Sequence, residues 1–286
     1  MANFILEDLK QIFGKRNNIL SQIIVLNVAV FIVFNIIENF YPISNWFALP
    51  GTFGEYILKF WTLISYMFLH GGFFHILFNM LWLYWMGQIL LEYLGAKKFT
   101  AIYFFGGIAG GAAFLIINQV LVSTAGFPLG IGLVGASAGV MAVVFAVATL
   151  LPEYQVRLMF IGPVKMKYLA IGSLILTSLL DFSVNTGGKI AHFGGAFFGF
   201  LFIRALQKGK DYSIPFYQVI NAFKKPFLKK KPIKVAYKSP KPVNKKTKSN
   251  TQDQVVIDSI LDKISKSGYD SLSKEEKEIL FKMSKD

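Results

Sequence analysis

The chain has 286 residues and no cysteine, and it is 54% hydrophobic with a mean hydropathy of +0.50. That composition excludes a soluble globular domain, and the missing cysteines exclude disulfides and thiolate chemistry. The net charge of +14 is unevenly placed: from Arg204 onward lie 20 of the 30 basic and 9 of the 16 acidic residues, a local balance of +11. A basic tail beside apolar runs points to anionic lipid headgroups rather than nucleic acid.

Residues 1–18 carry Phe4, Ile5, Leu9, Ile12 and Phe13 on one helical face, with Lys10, Lys15 and Arg16 nearby, which predicts a helix lying at the membrane interface. No small-residue cleavage site follows the next apolar run, so the reading is an uncleaved first span, about Ile19 to Ile37. The loop from Glu38 to about Lys59 is rich in aromatics (Phe40, Tyr41, Trp46, Phe47, Phe53, Tyr56), which suit the headgroup layer. A second span is expected over about Trp61 to Leu90, holding Tyr66, His70, His75 and Asn79. A polar turn with Glu92, Lys97 and Lys98 leads to a third, about Thr100 to Val122, with Gly106, Gly107, Gly110 and Gly111. Span four starts at Ser137 and ends near Leu151. A charged turn, Glu153 to Lys167, precedes span five (about Tyr168 to Leu180), and span six runs from about Ile190 to Leu206. Several of these runs approach the roughly 20 residues that cross a bilayer core.

The expected fold is therefore all-α: a polytopic six-span bundle over 19–206 with a cytoplasmic tail. The split of charges supports that topology. Lys10, Lys15, Arg16, Lys97, Lys98, Arg157, Lys165, Lys167 and the tail fall on one side, and only Lys59 and Lys189 on the other. By the positive-inside rule both termini are cytoplasmic. Residues 207–250 read as a basic, proline-bearing linker in loose contact with lipid. Residues 251–286 read as a small helical hairpin, with Val256, Ile257, Ile260, Leu261 and Ile264 at helical spacing, Gly268 as a stop, and Ser273 with Glu276 as a capping box. The sequence does not identify a partner for the hairpin.

Polar groups inside a membrane are costly, so each is a candidate for function. Gly135-Ala136-Ser137-Ala138-Gly139 opens span four with a hydroxyl among small residues. Alone, the pentapeptide favours close helix packing over catalysis. All three histidines fall in expected spans, and the topology brings His75 and His192 to the depth of Ser137. His75 and Asn79, four apart, share a helix face, and both can donate hydrogen bonds to an oxyanion. The Gly195-xxx-Gly199 spacing allows span six to pack tightly on a neighbour, with Gly135 and Gly139 as candidate contacts. That approach brings His192, a base, toward Ser137, a nucleophile. Other chemistries fit less well. There is no His-Glu-x-x-His, His70 and His75 do not share a face for a metal, and Asp181 is a lone carboxylate at a span end. A strand and a soluble sheet, needed for a nucleophile elbow, are missing before Ser137.

Taken together, His75-Ile-Leu-Phe-Asn79, Gly135-Ala-Ser137 and Ala191-His192-Phe-Gly-Gly195-xxx-Gly199, in this order on these spans, resemble the rhomboid family of intramembrane serine proteases over about residues 15–207. The resemblance implies a Ser137–His192 dyad without an acid, no metal and no cofactor. It implies an oxyanion site from the Ser137 N–H, His75 and Asn79, and a lesser, structural or water-ordering role for His70. It also implies single-span membrane proteins as substrates, and a bacterial inner membrane as the location. Ala138 stands where the family usually has glycine, so its methyl is expected to shape the first substrate pocket. Trp61-Thr62 stands for the usual Trp-Arg of the first loop. The alternatives are a silent relative that binds transmembrane helices and a transporter; the second lacks paired intramembrane charges.

Overall fold

A computed structural model describes residues 19–126, 132–158, 161–178, 186–224 and 251–283. The interfacial helix expected over 1–18 and most of the basic linker lie outside them, as does Asp181. The described chain is mostly helical and divides into two units, Met1–Leu228 and Lys229–Asp286. Among the described residues three helices are long and apolar enough to cross a membrane, and two shorter apolar helices lie between the second and third of them.

Helix α1 (Ile19–Glu38) buries Leu20, Ile23 and Asn27, at spacings of three and four, and leaves Ile32, Val33 and Ile36 exposed. The aromatic loop after it is structured. It contains α2 (Ser44–Phe47), strand β1 (Leu49–Pro50), α3 (Phe53–Leu58), α4 (Thr62–Ser65) and a 3₁₀ turn, Tyr66–Phe68. Side chains tie the loop to itself: the Trp61 indole N–H donates to Trp46 O at 2.8 Å, Lys59 Nζ to Asn45 O at 2.8 Å, and Ser65 Oγ to Phe47 O at 2.7 Å.

The next long helix, α5 (Phe73–Ala125), starts a dozen residues later than the expected Trp61. The chain leaves helical geometry at Leu69 (φ −91°, ψ 142°) and is still fully extended at Gly72 (φ 176°, ψ 167°). His70 therefore lies in a loop ahead of the helix and not inside a span. Gly95, at φ +74°, divides α5 into two arms. A Cβ on Gly87 would lie 3.1 Å from the Phe99 ring, whereas twelve residues of straight helix separate such positions by about 18 Å. The arms thus fold back on one another, at the polar turn that Glu92, Lys97 and Lys98 mark in the sequence.

Helix α6 (Ser137–Leu150) is apolar on every side and buries ten of its residues, as a helix at the centre of a bundle must. Strand β2 (Gly132–Leu133) leads into it and pairs antiparallel with β1, Leu49 opposite Leu133. The expected charged turn is a hairpin, β3 (Gln155–Leu158) with β4 (Gly162–Lys165). Lys165 and Lys167 both bind Glu153 and hold its carboxyl down to about 2, so this cluster stays ionised at any physiological pH. Helices α7 (Met166–Ser178) and α8 (Thr186–Gln207) complete the packing around α6.

The loose linker expected from residue 207 begins instead with a helix, α9 (Ser213–Lys224). Ile214, Phe216, Tyr217 and Ile220 give it an apolar face. Phe216 is buried, its ring 4.9 Å from Phe105 and 6.3 Å from Phe104, and Lys98 lies 3.5 Å from Asp211 just before the helix. The second unit contains α10 (Thr251–Ser267), a turn through Gly268 at φ +78°, and α11 (Lys274–Met283). The capping box is reciprocal: Ser273 N–H donates to Glu276 Oε2 at 2.7 Å, and Glu276 N–H donates to Ser273 Oγ at 3.3 Å. Lys263 of α10 reaches the same Glu276 at 2.8 Å.

The α5–α6 contact depends on a missing methyl. A Cβ on Gly106 would stand 2.1 Å from the Ala142 Cβ and meet nothing else closer than 3.6 Å. Gly106→Ala is expected to destabilise the protein by about 1–3 kcal/mol, and Ala142→Gly in the same chain to restore most of that loss, read from thermal unfolding in detergent. Phe216→Ala should cost about 3 kcal/mol by the same measurement, whereas truncation after Lys224 should leave the unfolding midpoint of the first unit unchanged.

Candidate active site

Ser137 is the first residue of α6, and the backbone of the two residues before it is held on both sides. Gly135 N–H donates to Tyr66 O at 2.9 Å, and Ala136 N–H donates to His70 Nε2 at 3.5 Å. The second bond requires Nε2 of His70 to be its unprotonated nitrogen. His70 is buried and meets His75 edge to face, the ring centroids 5.2 Å apart. Gly135 has φ +128°, and a Cβ there would fall 2.9 Å from both Cε1 and Nε2 of His75 and 3.6 Å from Ser137 Oγ. Both the backbone angle and the close approach of the imidazole call for glycine at this position.

His75 is the third residue of α5, and Asn79 lies one turn on. Asn79 Nδ2 donates to His75 O at 2.8 Å. An amide NH2 has two hydrogens, so this bond leaves a second one for the cavity. His192 comes from α8, with its Nδ1 3.4 Å from Ser178 Oγ of α7. Ser137, His192, His75 and Asn79 all line one cavity of about 660 Å³. Its remaining wall is largely apolar: Phe74, Phe78 and Trp82 from α5, Val140 and Met141 from α6, Leu176 from α7. Thr177 and Lys189 add polar groups to the wall. The first four N–H groups of a helix have no partner within it, so the Ser137 end of α6 offers donors as well as a hydroxyl.

The close contact between α6 and α8 uses other residues than the sequence suggests. A Cβ on Gly195 would lie 2.0 Å from Ala138 O, and one on Gly199 would lie 2.1 Å from Ala142 O. The backbone of α8 thus rests on the carbonyls of Ala138 and Ala142, not on Gly135 and Gly139. Gly139 faces the other way, where its Cβ would meet Tyr103 O at 2.8 Å. Ala138 is also placed differently from the expectation that its methyl shapes a substrate pocket. It is 1% exposed and is not part of the cavity wall. Its methyl faces Gly110, where a Cβ would stand 2.5 Å away. The extra carbon beside Ser137 is accommodated by the absent one on α5.

Sequence reasoning did not find the aromatic wall, Thr177, Lys189 or Ser178. Lys189 carried a usable signal, three residues before His192 on the same helical face. Ser178 carried none, since its relation to His192 is tertiary.

A family model described as the Rhomboid domain matches residues 58–208, more than half of the chain. A second, described as a family of unknown function (DUF6576), matches residues 244–286. RHOMBOID-like protein 5 of Arabidopsis thaliana is 29% identical over 162 residues, 55% of this chain and 48% of its own length. The rhomboid protease GlpG of Yersinia pseudotuberculosis serotype I (strain IP32953) is 29% identical over 136 residues, 48% of this chain and 45% of its own length. GlpG of Yersinia pestis (strain Pestoides F) matches over the same shares at the same identity. The chain spans about half the length of the curated relatives it matches.

Two substitutions separate packing from cavity shape. Ala138→Gly is expected to lower stability by about 1 kcal/mol, through the lost methyl, with no change in the binding of a cavity ligand. Gly135→Ala should cost more, about 1–3 kcal/mol, and should perturb the His75 imidazole signals in an NMR spectrum.

Proposed function

The chain belongs to the rhomboid family, and from that membership we propose that it is an intramembrane serine endopeptidase that cuts transmembrane segments with Ser137 and His192. One observation carries the reading: the hydroxyl, the imidazole and two candidate oxyanion donors line a single cavity, although they come from three different helices.

In the proposed reaction Ser137 Oγ attacks the scissile carbonyl carbon and its proton passes to His192 Nε2. The carbonyl π pair moves to oxygen, where the Ser137 N–H, His75 and Asn79 stabilise it. The oxyanion then collapses, the C–N bond breaks, and the imidazolium gives its proton to the departing amine. Water attacks the resulting ester with His192 again as base, releasing the new carboxylate and regenerating Ser137. The substrate must unwind locally first, because the amides of a helix are already bonded and shielded.

The topology proposed with this chemistry has six crossings: α1, the two arms of α5, α6, α7 and α8. Helix α6, at 14 residues, is about 21 Å long, against a hydrocarbon core of about 30 Å. Its first residue therefore lies inside the membrane, after a short segment whose amides bond to Tyr66 and His70. Irregular backbone at that depth is tolerated where protein or a water-filled cavity surrounds it. Basic residues cluster with the tail, which puts both termini in the cytoplasm of a cell, here proposed as bacterial. The tail then lies against anionic lipid.

The test is cleavage of a model transmembrane substrate in detergent or liposomes. Ser137→Ala and His192→Ala should each abolish cleavage, and Asn79→Ala or His75→Ala should lower turnover by about 100-fold or more. A fluorophosphonate probe should label the wild type and not Ser137→Ala. Equal cleavage by wild type and Ser137→Ala would refute the assignment, and a wild type that binds transmembrane helices without cutting or labelling would favour a silent scaffold.

A further inference from the structure

We propose that Ser178 is a positioning residue for His192, a hydroxyl that holds the proton on Nδ1 and so leaves the Nε2 lone pair facing Ser137. The inference rests on the reading of His192 as the general base. A neutral imidazole carries one N–H, and a histidine with that hydrogen on Nε2 cannot accept the proton of a serine. Something must select the other tautomer, and the family resemblance implies no carboxylate for the task.

Ser178 fits by position and by geometry. Its Oγ is 3.4 Å from His192 Nδ1, and the side chain is 1% exposed, so water does not compete for the contact. It differs from the other serine and threonine hydroxyls of its helix. Ser173 Oγ donates to Ala170 O and Thr177 Oγ1 donates to Ser173 O, each at 2.8 Å, so both are turned back on α7 itself. Ser178, the last described residue of α7, has its hydroxyl directed across to α8. A helical serine can direct its own hydrogen to a carbonyl one turn back, which leaves oxygen lone pairs to accept the Nδ1–H. A hydroxyl supplies no charge, but it fixes both the tautomer and the ring plane. It also favours the imidazolium formed during the reaction, since its oxygen accepts more strongly from a charged donor.

The other ionisable groups on the cavity are few. Among the described residues they are His75 from α5, with His70 edge to face against it, and Lys189 from α8. Helix α6 has none in its sequence, and Lys167 and Tyr168 of α7 are about 15 Å along the helix from Ser178.

The test uses the full chain labelled with ¹⁵N-histidine, whose three imidazoles are resolved by long-range ¹H–¹⁵N correlation, with fluorophosphonate labelling of Ser137 measured across pH. In the wild type His192 should show the Nδ1–H tautomer. Ser178→Ala should mix the tautomers, lower the His192 titration midpoint, slow labelling about tenfold and move the acid limb of the rate to lower pH. Ser178→Thr, which keeps the hydroxyl, should recover each of these. An Nε2–H tautomer in the wild type, or a Ser178→Ala protein with unchanged spectrum and acid limb, overturns the proposal even where the rate falls. A wild type that shows the tautomer shift on substitution and never labels would refute the proposed nucleophile and leave the positioning contact standing.

Discussion

The structure depends on the contact between the backbone of α8 and the carbonyls of α6. In lipid, two apolar helices gain nothing by leaving the solvent, because the acyl chains are as apolar as the side chains. What remains is close packing and the weak attraction of Cα–H groups for carbonyl oxygens, and both need the axes to approach. Gly195 and Gly199 give that approach on one side of α6, where any Cβ would collide with Ala138 or Ala142. Gly106 and Gly110 give it on another side, against the methyls of the same two alanines. Two alanines thus serve two interfaces each, a carbonyl toward α8 and a methyl toward α5.

The chemistry proposed for the cavity follows from this arrangement. A helix held that tightly has little freedom at its first turn, and the segment before it is fixed by Tyr66 O, His70 and the two-residue pairing of β1 with β2. These bonds also satisfy backbone groups that have no partner within a helix. His70, read from sequence as a minor member of the site, touches the backbone before Ser137 and the ring of His75.

Much of the fold was legible in the sequence because it is written in local patterns. Apolar runs located the long helices, Gly268 and the Ser273–Glu276 box located the turn of the C-terminal hairpin, and the spacing of His75 and Asn79 put both on one face. What needed the structure was which surface each small residue meets. Periodicity assigns a face but not a partner, so Gly135 and Gly139 were expected where Ala138 and Ala142 make the contact. For the same reason the methyl of Ala138 was assigned to the cavity when Gly110 receives it. The helix start was misread because an apolar run hides a break from Leu69 to Gly72, which put His70 inside a span. Prolines and lysines made residues 207–250 look uniformly loose, and the buried ring of Phe216 outweighs them at the near end. Ser178 could not have been found, since it lies fourteen positions from His192 and their contact is tertiary.

The fold-back at Gly95 has a bearing on biosynthesis. On the proposed six-crossing topology the two arms of α5, joined at Gly95, enter the membrane as one hairpin, and α6 then has a prepared groove of glycines to meet as it leaves the translocon. Helix α8 arrives last, and the imidazole of His192 with it. A nascent chain that has inserted only as far as α6 carries Ser137 with no imidazole from α8 beside it. On the proposed mechanism it is inert toward its neighbours in the crowded membrane until insertion is complete.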